Sequence, residues 1–181
     1  MANNMVAILG PSGVGKSCVC HGLVKDHSFL HIELDDNHPW ESNGFPGAWD
    51  QDITKVDFPL VAATVQSRIV EGQRVAAVLS FATIHLFSSQ QVADMAVVGI
   101  APIILWGTLD QCIAARAVRA RKHRVRFNEQ DREKYERKNR LAFEMFAAEA
   151  YAPYRLEAFQ PDGTRWPADC LPNVCKKRIT G

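Results

Sequence analysis

Residues 10–17 read GPSGVGKS, and no other stretch of the 181-residue chain declares its chemistry so openly. Gly10, Gly15, Lys16 and Ser17 satisfy the pattern G-x-x-x-x-G-K-[ST]. Glycines let the backbone curl so tightly that successive N–H groups converge on an anion. A helix opening near Gly15 adds the positive end of its dipole. In such a loop a lysine reaches the β- and γ-phosphates of a nucleotide, and the hydroxyl after it sits on Mg²⁺. The expected nucleotide contacts are Gly10, Ser12, Gly13, Val14, Gly15, Lys16, Ser17 and Cys18, with ATP and Mg²⁺ as cofactors. No N-K-x-D run accompanies the loop, which argues against a GTPase.

Phosphoryl transfer to a hydroxyl needs a carboxylate to orient or accept the proton. Asp35 and Asp36 follow an apolar run and are the candidates. The run ending Leu79-Ser80 offers no carboxylate of its own, so Mg²⁺ must rely on Ser17, on water and on a carboxylate such as Asp35. Positive charge is concentrated further on. Residues 116–140 hold 11 of the 21 Lys and Arg against four acidic residues, leaving 10 basic and 16 acidic elsewhere. A cationic segment in an acidic body suits a small polyanion better than a nucleic acid. From Arg119 to Arg126 the cations have no acidic neighbours, whereas Glu129, Glu133 and Glu136 stand at helical spacing from Lys and Arg.

These residues need a frame. Strands are expected at Met5–Leu9, Phe29–Leu34, Arg74–Leu79, Ala101–Trp106 and Arg155–Phe159. Helices are expected at about 15–25, from Asp57-Phe58-Pro59 to Glu71, and at Ser88–Met95, Leu109–Arg121 and about Glu129–Glu149. Residues 160–163, QPDG, read as a turn, and 160–164 as an adenine loop by position. Strands alternating with helices imply an α/β fold with a parallel sheet covered on both faces. The segment from about 37 to 56, rich in Gly, Pro, Asn and Trp, reads as a substrate-binding loop. Its Trp40, Phe45 and Trp49 suit either a stacking wall or the packing of a helical hairpin.

The length suits one domain, 1–181, with 47% apolar and 23% charged residues and a net charge of +1. No apolar run approaches a bilayer span, and the N-terminal residues lack a basic segment before their apolar stretch, so a cytoplasmic protein with no membrane partner is expected. The five cysteines, Cys18, Cys20, Cys112, Cys170 and Cys175, show no metal-like pairing and read as reduced thiols.

The chain resembles the shikimate- and gluconate-kinase-like group of P-loop small-molecule kinases over most of residues 5–145. Gluconate kinases end their second strand in D-x-D with His-Pro shortly after; Glu33, Asp35, His38 and Pro39 occupy comparable places. Ser80 and His85 repeat a Ser-to-His spacing after the third strand, although Thr83 and Ile84 stand where those enzymes carry two lysines. PIILWGTLDQCIAARAVRARKH looks like the fourth strand, its helix and the start of the lid. The resemblance implies a three-layer P-loop NTPase fold with a five-stranded parallel sheet and a helical lid at about 119–135. It also implies that Asp35 activates the acceptor hydroxyl and that Arg119, Arg121 and Arg124 steady the phosphoryl group. Lys16, Asp35, Arg121 and Arg124 are thus the expected catalytic residues, with Arg119 on the nucleotide. Asp35, Asp36, His38, Trp40 and Ser80 are expected on the acceptor. The expected activity is transfer of the ATP γ-phosphoryl group to a hydroxyl of a small metabolite, by a monomer or homodimer with no nucleic-acid partner. A nucleoside or nucleotide kinase and an ATP-binding regulatory module with little turnover are the alternatives.

Overall fold

In a computed structural model, which describes residues 4–34, 39–82, 86–167 and 170–180, the apolar run Met5–Leu9 forms the central strand, β1. Four more strands pair with it in parallel: β2 (Leu30–Leu34), β3 (Ala77–Phe81), β4 (Ile100–Trp106) and β5 (Arg155–Glu157). Their order across the sheet is β2-β3-β1-β4-β5. All five residues of β1 and of β3 are buried, because helices cover both faces.

Side chains alternate between the two covered faces. Met5, Ala7 and Leu9 join one core, with Val61, Ala62, Val65 and Ile69 of helix α2 (Phe58–Glu71) and Val92 and Met95 of helix α3 (Ser89–Val97). Val6 and Ile8 join the other, with Val19, Cys20 and Leu23 of helix α1 (Lys16–His27). Helix α4 (Leu109–Lys122) adds Cys112 and Ile113 to this second core, and helix α6 (Cys170–Thr180) adds Cys175. Helix α5 (Glu129–Ala147) serves both, with Tyr135 on one side and Ala142 and Phe146 on the other. Helices on both faces of a parallel sheet are what the strand–helix alternation implies, and the five-stranded three-layer P-loop NTPase fold is what the resemblance implies.

The chain leaves β1 toward β2 on one side of the sheet and leaves β4 toward β5 on the other. A crevice therefore opens at the carboxyl ends of β1 and β4, the usual place for a ligand in such sheets. Helix starts here are well defined. Asp57 caps α2 by accepting from the Leu60 N–H at 3.0 Å. Reciprocal capping boxes open α3 (Ser88 with Gln91), α4 (Thr108 with Gln111) and α5 (Asn128 with Asp131).

Three boundaries differ from expectation. The strand expected at Arg74 begins at Ala77, because the Arg74 N–H still closes the end of α2 on the Ile69 carbonyl at 2.9 Å. The long last helix stops at Ala147, where Ala148 turns extended, and a 3-10 helix (Glu149–Tyr154) leads into a β5 of only three residues. Helix α6 was not expected, since Pro172 and the run of Lys and Arg mask its apolar face. Residues 40–55 carry three short 3-10 helices, Trp40–Asn43, Gly47–Asp50 and Ile53–Lys55.

Candidate phosphate-binding site

The GPSGVGKS loop joins β1 to α1 at the mouth of the crevice. Gly10, Gly13 and Gly15 have φ of +129°, +83° and +111°, a region that disfavours side chains. A Cβ on Gly10 would also stand 2.5 Å from the Leu105 carbonyl of β4. Gly15 is the N-cap of α1, with no side-chain cap and no acidic residue in the first turn. The helix start thus has no side-chain cap of its own, and its positive dipole end suits an anion. Val14 is fully buried and anchors the loop, while Ser17 and Cys18 are exposed. The Cys18 N–H already bonds to the Gly15 carbonyl at 3.0 Å. The Lys16 ammonium folds over the loop and donates to the carbonyls of Gly10 (2.7 Å) and Pro11 (3.2 Å).

Distant parts of the chain grip this loop. The Ser12 N–H donates to Asn139 Oδ1 at 2.8 Å, so among the Ser12 groups the side chain rather than the amide remains for a nucleotide. Asn139 is fully buried on α5, and its own amide donates to the Tyr135 carbonyl at 2.7 Å. Arg165 donates to the Gly13 carbonyl, lies over the Phe159 ring at 5.4 Å and presses against Gly15. A cavity of about 640 Å³ opens between the loop and the α4–α5 hairpin, with Ser12, Arg116, Arg119, Arg126, Lys134 and Tyr135 among its walls. A smaller one of about 150 Å³ lies beside Gly15, Cys18 and Val19, walled by Arg165, Trp166 and Pro167. The turn at 160–164 reaches neither cavity; the residues that follow it line the smaller one.

A gluconokinase from Sinorhizobium meliloti 1021 aligns over 98% of this chain and 91% of its own, with a TM-score of 0.54 and 10% identity. The fold is that of the P-loop kinases. Deoxyadenosine kinase from M. mycoides (TM-score 0.48, 14% identity, 97% of each chain) and shikimate kinase from Acinetobacter baumannii (0.45, 15%, 96% of this chain and 89% of that one) are also similar. No protein-family model and no curated protein matches the sequence.

Within this P-loop kinase fold the expected residues fare differently. Asp35, Asp36, His38 and His85 lie outside the described residues. Glu33, the last described carboxylate before them, is half-buried on β2 beside Ser80 of β3 and, like Lys16, acts electrostatically on Cys20. The exposed Ser17 hydroxyl at the head of α1 fits Mg²⁺ in its chemistry, and no group of three or more His, Cys, Asp or Glu that could hold a metal occurs among the described residues. Arg119 lines the large cavity, but Arg121 and Arg124 do not. Arg124 sits in a left-handed turn (φ +56°) that closes α4.

Two acceptor expectations need correction. Trp40 is fully buried, edge-on to Trp49 at 5.7 Å and against Phe45 and Phe81 at 6.0 and 5.7 Å. The aromatic residues of this loop are packing, not a stacking wall, because burying such large rings stabilises more than exposing them. Ser80 is 5% exposed and bonds to His31 Nε2 at 2.8 Å beneath α1, so its hydroxyl is held inside the layer.

Sequence reasoning missed Arg116, Tyr135, Asn139 and Arg165. Arg116, Arg119 and His123 stand at i, i+3 and i+7, and Tyr135 and Asn139 at i and i+4, spacings that place each set on one helix face. That signal was readable. Arg165 reaches the loop from a hairpin 150 residues away in sequence and gives no local sign. Arg132, by contrast, is an element tie: it bonds Glu136 at 2.9 Å and approaches Asp110 of α4 at 3.7 Å.

Proposed function

We propose that the protein transfers the γ-phosphoryl group of Mg-ATP to a hydroxyl of a small polar metabolite, in the manner of gluconate or shikimate kinases. One observation carries this reading: a loop with three left-handed glycines leads into a helix start without a side-chain cap, and its Ser12 lines a roomy cavity whose other walls include Arg116, Arg119, Arg126 and Lys134. Such a pairing suits a polyphosphate on one side and a reacting group on the other. Phosphoryl transfer is chiefly positioning and charge neutralisation, which N–H groups, Lys16 and guanidinium forks supply.

In this reading Lys16 moves from the loop carbonyls onto the β- and γ-phosphates, where opposite charge adds to the hydrogen bond. Arg119, with Arg116 and Arg126, steadies the equatorial oxygens, and residues 119–135 act as the lid. Asp35 accepts the proton of the acceptor hydroxyl, and the acceptor lies near the 37–56 loop. Ser17, with Asp35 through water, would hold Mg²⁺, which would supply charge neutralisation to the phosphates. The whole chain is read as one cytoplasmic kinase domain. The buried packing of Trp40, Phe45 and Trp49 removes the aromatic wall that a nucleoside acceptor would have used.

The test is turnover against a panel of sugars, sugar acids and nucleosides, with ADP release as the readout. Wild type is expected to turn over a sugar or sugar acid, and Asp35→Asn to lose at least ~100-fold in kcat while still binding Mg-ATP. A folded wild type that binds Mg-ATP and phosphorylates nothing in the panel sinks the kinase reading in favour of a binding module.

A further inference from the structure

Tyr135 is 7% exposed, and its hydroxyl is buried with no hydrogen-bond partner among the described residues. Such a group is costly to keep, because a buried donor that has left water gains nothing in exchange. Its position is specific. A Cβ on Gly13 would meet the Tyr135 oxygen at 2.5 Å, so the hydroxyl lies directly against the phosphate loop. The Ser12 side chain lies near enough to pull the phenol's pKa down, against the burial that raises it, yet no polar atom meets hydrogen-bond geometry with the hydroxyl among the described residues. Burial raises the pKa of the phenol further above its ordinary value, so it stays protonated and is available as a donor.

The surroundings hold it there. Asn139, one turn later on α5, ties the Ser12 N–H at 2.8 Å and the Tyr135 carbonyl at 2.7 Å, so loop and helix share a register. The Arg116 guanidinium lies 5.7 Å over the Tyr135 ring and lines the same 640 Å³ cavity as Tyr135 and Ser12. A protonated hydroxyl without an acceptor, seated between a phosphate loop and a cationic cavity, is matched by an anionic oxygen.

We propose that Tyr135 donates its hydroxyl to a phosphoryl oxygen of the bound nucleotide, with Asn139 as the positioning residue that keeps Ser12 and Gly13 beside it. The proposal rests on the nucleotide reading of the loop and adds a ligand contact from α5 that the motif does not contain. It accounts for a polar group left unpaired in an otherwise packed core: the nucleotide supplies the missing partner.

Calorimetric titration of the full chain with Mg-ADP and with a Mg-bound non-hydrolysable ATP analogue tests it, comparing wild type with Tyr135→Phe. The variant keeps the ring and its packing. Its affinity for at least one of the two ligands is expected to fall five-fold or more, while the melting temperature of the unliganded protein stays level or rises. The ligand that loses affinity tells which phosphate is touched. Unchanged affinity for both overturns the proposal. So does a loss of affinity accompanied by a lower melting temperature, which marks the hydroxyl as structural. Failure of wild type to bind either ligand sinks the nucleotide reading itself, and this contact with it.

Discussion

Lys16 shows how a single side chain can wait for its ligand. Its ammonium donates to the carbonyls of Gly10 at 2.7 Å and Pro11 at 3.2 Å. A phosphate offers a charged acceptor, which adds the attraction of opposite charges to the hydrogen bond. Lys16→Met is therefore expected to weaken Mg-ADP binding by about ten-fold or more, since one charge-assisted bond is worth ~1.5–3 kcal/mol. Equilibrium dialysis reads this directly, and equal affinity would remove Lys16 from the site. Cys18 gives an independent probe of the same place. It is exposed beside Ser17, whereas Cys20, Cys112 and Cys175 are buried. Iodoacetamide should therefore label Cys18 in the native protein while those three react only after unfolding, and saturating Mg-ADP should slow the labelling. Mass spectrometry of the peptides locates the adduct, and labelling indifferent to nucleotide would place the phosphates elsewhere.

Elements carry the second set of consequences. Helix α2 opens on the Asp57 carboxylate, which accepts from the Leu60 N–H at 3.0 Å, and Asp57→Ala should cost about 1 kcal/mol of stability in urea unfolding. The loop before it depends on Trp40, whose truncation to alanine removes the hub joining Phe45, Trp49 and Phe81; a loss of about 3–5 kcal/mol is expected. A loss near zero would mean the rings are not packed as described. Local signals made much of this legible. The run Met5–Leu9, the glycine loop after it, and Asp57-Phe58-Pro59 with Gly72 mark their elements by composition alone, and the structure follows them closely. What sequence could not settle was decided at a distance. Whether Trp40 faces a ligand or a core depends on Phe81 of β3, itself edge-on to Phe87, which no spacing brings near it. The same holds for Ser80, whose partner His31 lies on the neighbouring strand. At the site, the loop residues were readable because their backbone needs are local. The shared helix face of Tyr135 and Asn139 was readable too, but that Asn139 and Arg165 clamp the loop was not, because only the folded chain brings them there.

Across the whole molecule, helices on both sides of the sheet shut Cys20, Cys112 and Cys175 away from water in the second core, and two of these thiols are clearly shifted. Burial pushes the Cys20 thiol up to about 12 from its ordinary 9.0, with the hydrogen bond to Ser80 pulling the other way. Burial likewise pushes Cys112 up to about 12, opposed by the nearby Arg165 and Lys16. A thiol whose folded value lies above its unfolded one contributes stability that is complete below the unfolded value. Above pH 9 the unfolded chain gains by releasing the proton and the folded one does not, so that contribution drains away until the pH passes about 12. Each thiol should therefore withdraw up to about 1.4 kcal/mol for every pH unit in that window. Lysine and tyrosine deprotonation will add slopes of their own, so the comparison must be between variants. Cys112→Ala removes one thiol, and Cys112 stands on α4 with its carbonyl against Gly13. The variant is expected to be less stable than wild type at pH 7, because a buried side chain has been cut back, yet to lose less stability between pH 9 and 10.5. Urea unfolding at both pH values gives the two differences. Parallel losses in variant and wild type would mean that the thiol is wet in the folded protein, and the closed packing of α4 on the loop would have to be redrawn.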